Sequence, residues 1–292
     1  MLTRRRLLVA LGAASASVLA GGAGCGRTDL AGTLQRIRGS GVARVAIAGE
    51  QPYGFSDAGG RVTGESPEVA RLVLRAVGVD GIEAVQVPFD QLLDSLVGGD
   101  VDLVAAGMTI SPQRCGRVAF SRPDFVAPPA FMVRRDGPAG LRSFADIVAA
   151  RARLGVLAGS AEQAWATASG IPDDMTTTFD AQSSLVRAVA DQRVDAVVAT
   201  RISLLDELRR NPGRQLQVTR QFRVTIGGRD VVPAGGFAFR RGDADLVAAF
   251  DDALTAAQAS GEWLRAASPF GFTGANLPPA SLTTTALCAG TA

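Results

Sequence analysis

With 292 residues, 47% of them hydrophobic, and a formal charge of +2 from 30 basic and 28 acidic residues, the chain is long enough for two α/β lobes. It is too evenly charged to offer the basic stripe that nucleic acid demands. Histidine is absent, which excludes Ser-His-Asp and Cys-His catalysis, histidine metal sites and histidine pH switching together. Neither a phosphate-binding P-loop nor a CxxC pair occurs.

In chain order, Thr3-Arg4-Arg5-Arg6, an apolar run over 7–20 and small residues up to Cys25 read as an export signal with a twin-arginine character. Residues 19–25 resemble a lipoprotein processing site in which Cys25 becomes the acylated N-terminus, although Gly22 departs from the usual Leu or Val. A single membrane anchor is the weaker alternative, because the run is shorter than the roughly 20 residues a span needs. Residues 1–25 are therefore set aside, and no later stretch reads as transmembrane.

The spacing predicts a short helix over 34–38 and a first strand over 42–48, with Glu50-Gln51-Pro52-Tyr53 at the strand's end. A turn over 59–64 precedes a helix opened by Glu65-Ser66-Pro67-Glu68, with Val69, Leu72, Val73 and Ala76 at helical spacing. A strand over 82–87 is followed by Phe89, and Leu92, Leu93, Leu96 and Val97 mark another amphipathic helix. Val101-Asp102-Leu103-Val104 is a buried strand running out to Gly107-Met108-Thr109. Ser111-Pro112 then supplies an N-cap and a first helical position. In open α/β sheets ligands sit beyond the carboxyl ends of the strands, so Arg114, in that first turn, places a guanidinium where a ligand carboxylate would arrive.

Residues 131–135 read as an extended crossover into a second lobe. There the alternation resumes: a helix to 150, a strand over 153–157, the loop Ala158-Gly159-Ser160-Ala161-Glu162, a helix through Trp165 and a strand over 176–179. A helix over 183–190 and a strand over 194–199 follow, and the chain returns near 236. One long helix over 243–267 and a Gly/Pro-rich tail close it. Residues 92–106 can be laid over 185–199, both reading helix, tight turn, Val-Asp, strand; two lobes of related construction would enclose a cleft and close about a hinge. The expected division is 26–133 with 236–292 as one lobe and 134–235 as the other. Cys115 and Cys288 are expected to form a disulfide in an exported chain, two separate buried thiols being the alternative.

The series Gly49-Glu50-Gln51-Pro52-Tyr53, Gly98-Gly99-Asp100-Val101-Asp102, Gly107-Met108-Thr109-Ile110-Ser111-Pro112-Gln113-Arg114 and Val118-Ala119-Phe120-Ser121-Arg122-Pro123 resembles the polar amino-acid type of ABC-transporter solute-binding proteins. Within that family the Glu50 loop, Gly64-Glu65-Ser66-Pro67-Glu68 and the tail Pro269-Phe270-Gly271-Phe272-Thr273-Gly274 with Leu287-Cys288 are most similar to the ectoine- and hydroxyectoine-binding proteins. The likeness runs from about Gly32 to Gly290. It implies a type II periplasmic-binding-protein fold, two α/β lobes joined by a two-strand hinge, and a non-enzymatic, cofactor-free, monomeric protein. Such a protein takes a small zwitterion, delivers it to the permease subunits of an ABC importer, and meets the membrane only through a lipid anchor.

Carried over residue by residue, Arg114 would clamp the ligand carboxylate together with Ser160, Glu50 would face the ring nitrogens, and Tyr53 and Phe89 would be walls of an aromatic box beside Gly107 and Met108. Thr109 stands where the ectoine-binding relatives tend to carry a third aromatic. Thr200 stands where amino-acid receptors of the family usually hold the α-ammonium with an aspartate. Ectoine carries a carboxylate and a delocalised amidinium, the pair that a guanidinium, a carboxylate and aromatic faces would recognise. The rival functions are a receptor for ordinary polar amino acids, a dehydratase-like enzyme using Glu50 as an acid–base group, for which no second converging acid or base is evident, and a sensor domain.

Overall fold

The computed structural model describes residues 32–292; the export signal and Cys25 lie outside the described residues. Two five-stranded sheets form the frame. The first runs Gly81–Gln86, Val42–Ile47, Leu103–Val104, Ala238–Phe239, Ala119–Phe120. Its first three strands are parallel, with Val42 opposite Gly81 and Ile47 opposite Gln86, while Ala238–Phe239 lies antiparallel between its neighbours. The second runs Thr176–Phe179, Leu154–Leu157, Ala196–Thr200, Pro129–Arg134, Leu216–Val218, with Pro129–Arg134 antiparallel to both neighbours. Each sheet thus receives its antiparallel fourth strand from a segment that has just crossed between lobes.

The internal echo extends to the way the strands are pinned. Asp102, fully buried, accepts the backbone N–H of Arg44 at 2.9 Å, and Asp195 accepts that of Arg153 at 2.8 Å. In both lobes the aspartate before the third strand fixes the start of the first. Paired arginines compensate the buried charge of Asp102: Arg36, Arg44 and Arg240 all approach it.

The helix Glu65–Ala76 shows why the elements form where they do. Val69, Ala70, Val73 and Leu74 bury one face, and Glu68 lies in the first turn, where the helix dipole favours a carboxylate. The helix expected as one piece over 243–267 is two, Ala244–Ser260 and Glu262–Ala267. Gly261, at φ 77°, takes the left-handed conformation that ends the first and begins the second. Both contribute to the first lobe's core around Phe250, Trp263 and Phe272, while Phe131, Phe144 and Phe222 fill the second.

The crossover lies earlier than expected. Pro129–Arg134 is a central strand of the second sheet, pairing Thr200 with Pro129 and Ala196 with Val133, and Phe131 and Met132 are fully buried. An apolar extended run reads alike as a connector or as a strand covered on both faces; helices on both sides make it the latter. The hinge is the two-stranded ribbon Phe125–Val126 against Ala234–Gly235, not 131–135. The sequence reading left 201–235 unassigned, yet it holds the helix Arg201–Arg210, the strand Leu216–Val218 and a hairpin, Val224–Ile226 with Arg229–Val231, turning at Gly227-Gly228. The sulfurs of Cys115 and Cys288 are bonded, which fastens the helix Thr284–Ala289 beside Pro112–Cys115 on the first lobe.

Candidate functional site

The strand Val42–Ile47 ends in a loop in which Glu50 and Gly54 exchange N–H···O bonds of 2.9 Å each way. That closure turns Glu50 and Tyr53 inward, both more than nine-tenths buried. Tyr53 packs on Phe125 and Phe272, with ring centroids 5.4 and 5.7 Å away, and its hydroxyl donates across to Thr200 Oγ1 of the second lobe at 2.9 Å. Gly107, at φ 65°, runs beneath the same ring, where a Cβ would lie 2.3 Å from Tyr53 Cδ1. Its N–H donates to Ser66 Oγ at 3.1 Å, and Ser66 Oγ donates in turn to Glu65 Oε2 at 2.9 Å. Below lies a buried carboxyl pair, Glu65 and Asp124, with Trp263 Nε1 donating to Asp124 at 2.6 Å. Burial, the charge of Asp124 and the hydrogen bond between the two acids push Glu65 well above the usual carboxylate range.

Arg114 bridges the lobes. Its Nη1 donates to the Thr109 carbonyl at 2.7 Å and its Nη2 to the Gly159 carbonyl at 2.8 Å, and its Cζ sits 5.7 Å from the centroid of Phe89. Burial pushes the guanidinium down to about 10, opposed by nearby Glu162, so it stays charged at neutral pH. Two of its five N–H donors are engaged by these carbonyls. Ser160 caps the helix Ala161–Ala168, accepting from Gln163 N at 3.1 Å, and at the same time lines the cleft.

Glu50, Tyr53, Phe89, Gly107, Thr109, Ser160 and Thr200 all line one inner cavity of about 40 Å³ between the lobes. That is room for a few waters, so admitting a ligand requires the lobes to part. Arg114 lies at its rim and lines two larger hollows outside it, of about 410 and 530 Å³. Met108 does not line the inner cavity: it is 1% exposed in the core and borders the outer hollow that Arg114 also lines.

Three further acceptors and donors carry no local sequence signal that singles them out. Glu162, 7% exposed, enters the cavity from the second lobe, beside the Ser160 already singled out. Gln182 donates to the Gln51 carbonyl across the cleft at 2.7 Å and to Glu207 at 3.2 Å. Glu207, on the unassigned helix, is held by Arg210 at 2.5 Å and Asn211 at 3.1 Å. The expectation that no second acid converges on Glu50 is thus corrected. Burial, followed by the charges of Glu162 and Glu207, pushes the Glu50 carboxyl up to about 8, and burial raises Glu162 as well. At neutral pH this favours the protonated form of Glu50.

Residues 43–271 match the bacterial extracellular solute-binding proteins, family 3. The chain belongs to this family. A probable amino-acid ABC transporter periplasmic-binding protein from Sinorhizobium fredii is 31% identical over 224 residues, 76% of this chain and 74% of that one. The L-arginine-binding protein of Pseudomonas aeruginosa is 26% identical, covering 75% and 84%. Among solved structures, EhuB in complex with hydroxyectoine superposes with a TM-score of 0.78 at 30% identity, over 88% of this chain and 97% of that one. An ancestral arginine-binding protein bound to arginine gives 0.70 at 27%, over 80% and 99%. The fold is accordingly the type II periplasmic-binding-protein fold, and the family 3 protein is a solute-binding component of an amino-acid-type ABC importer. These relatives are binding proteins, and no helix among the described residues is long and apolar enough to cross a membrane.

Proposed function

We propose that this family 3 protein captures a small zwitterion of the ectoine and hydroxyectoine class outside the cytoplasmic membrane and hands it to the permease subunits of an ABC importer. The observation that carries the reading is a buried acid, Glu50, in a small aromatic-walled cavity, with the Arg114 guanidinium lining the hollows just outside it. Glu50 is buried with no side-chain partner among the described residues, and Arg114 stands at the rim with donors to spare. A ligand carboxylate would take the guanidinium. The delocalised cation would lie by Glu50 and the faces of Tyr53 and Phe89 and would favour the Glu50 carboxylate, whose proton leaves to water. At Thr200 the side chain is occupied by Tyr53 and Ser203 and carries no charge for an α-ammonium. The rest of the proposal is a monomer exported by the signal over 1–25 and anchored by a lipid on Cys25.

A receptor for polar amino acids is the second reading. It is favoured by Glu162, an acid on the closing lobe that could take an α-ammonium, and by relatives that bind arginine. Calorimetric titration with ectoine and hydroxyectoine, with L-glutamine and L-arginine as competitors, separates the two. Ectoine binding that neither amino acid displaces and that Arg114→Ala abolishes supports the first; uptake of an amino acid without ectoine binding overturns it.

A further inference from the structure

Two acids from opposite lobes line the inner cavity; the Arg114 charge is felt by Glu162, but neither acid is in an ion pair. Glu50 is 8% and Glu162 7% exposed, and among the described residues no side chain hydrogen-bonds or ion-pairs with either. The third acid, Glu207, is already satisfied by Arg210, Asn211 and Gln182. Arg114, the cation nearest the cavity, directs Nη1 and Nη2 at two carbonyls rather than at a carboxylate. The closed cleft therefore carries more acid than base, with the surplus split between the lobes.

We propose that Glu162 is a specificity-determining residue: the ligand's cationic group is held between Glu50 of the first lobe and Glu162 of the second, so the cation draws the lobes together. This rests on the zwitterion reading and adds the residue that senses charge on the closing side. Bringing two ionised carboxylates together in a water-poor cleft is unfavourable, so closure on a neutral ligand forces protonation of one of them. A planar amidinium or guanidinium presents N–H donors along two edges and satisfies both acids without a proton. Selection then acts on the ligand's cation, since any carboxylic acid could use Arg114. The raised position of Glu50, caused by burial and then by Glu162 and Glu207, agrees with this arrangement; the other groups facing it are the Tyr53 hydroxyl, and Arg210 through Glu207.

Two ligand pairs test it, each differing mainly in the cation: ectoine against L-pyroglutamate, and L-arginine against L-citrulline. Titrated calorimetrically, the wild-type protein is expected to favour the cationic member of whichever pair it accepts. Glu162→Gln should weaken that member about tenfold or more and leave the neutral one within about twofold. Equal weakening of both members, as expected if Glu162 merely orients Arg114, overturns the proposal, and so does no weakening. Failure of the zwitterion reading shows separately, as arginine binding without ectoine binding, and the arginine–citrulline pair then still decides on Glu162. Binding of neither cationic member by the wild-type protein overturns the proposal as well.

Discussion

Removing the same hydrogen bond from its two ends should cost different amounts. The Tyr53 hydroxyl donates to Thr200 Oγ1 across the lobes at 2.9 Å, and Thr200 Oγ1 also lies 3.0 Å from Ser203 Oγ and accepts from Ser203 N at 3.4 Å. Tyr53→Phe deletes the donor but leaves Thr200 with Ser203, so only one neutral bond is lost, about 0.5–1.5 kcal/mol or roughly 2- to 13-fold in affinity. Thr200→Val instead strands a buried phenol. Burial pushes the Tyr53 pKa up, so ionisation offers no escape, and an orphaned donor costs about 1–3 kcal/mol. Parting the lobes would expose that hydroxyl to water, so the penalty would fall on closure and appear as roughly 5- to 150-fold weaker ligand binding. The helix cap that Thr200 provides is lost in both forms and should appear separately, as about 1 kcal/mol in urea denaturation. Affinity is read by calorimetric titration with whichever of ectoine, hydroxyectoine, L-glutamine and L-arginine the wild-type protein binds. If Thr200→Val binds as tightly as Tyr53→Phe or more tightly, the bond does not hold the lobes together.

Gly107→Ala should destabilise by about 1–3 kcal/mol in urea titrations, because the new Cβ sits at positive φ and 2.3 Å from the Tyr53 ring; an unchanged midpoint would mean that the ring moves freely. The Cys115–Cys288 bond spans 173 residues, so loop-closure entropy puts its loss near 5 kcal/mol, or about 10 °C in scanning calorimetry under reductant; an unchanged melt would mean that the tail detaches by itself. Glu65 and Asp124 both have folded pKa values above their unfolded ones, so they contribute stability at low pH that is lost as pH rises through about 6, the value for Asp124. Glu65→Gln keeps a donor to Asp124 without needing a proton and should flatten the urea midpoint between about pH 4 and 7. A slope as steep as wild type would place the titration elsewhere.

Local signals made the frame legible. Ser111-Pro112 starts the short helix that carries Arg114, the Val-Asp turns announce both third strands, and Glu50 is recognisable as an acid at a strand's end. What escaped was decided by tertiary cover. Nothing in Ala130-Phe131-Met132-Val133 says that helices lie on both its faces, so it passed for a connector. The helix Arg201–Arg210 has four apolar residues, Ile202, Leu204, Leu205 and Leu208, of which Leu204 and Leu208 pack in one core and Ile202 against another rather than forming one stripe, so its period does not stand out; with it went Glu207. Glu162 was in view beside Ser160, but a glutamate in a first helical turn is what the dipole favours anyway. Only the approach of the other lobe makes it part of a pocket.

The strand order also sets a sequence of events in biosynthesis. The second lobe is built from the unbroken stretch between the two hinge strands, whereas the first lobe's sheet stays incomplete until Ala238–Phe239 arrives to fill the gap between Leu103–Val104 and Ala119–Phe120. An emerging chain can therefore assemble the later lobe first, by local contacts, while Glu50, Tyr53 and Arg114 wait for a partner strand more than a hundred residues downstream. In pulse-labelled hydrogen exchange during refolding, protection should accordingly appear in Leu154–Leu157 and Ala196–Thr200 before it appears in Leu103–Val104.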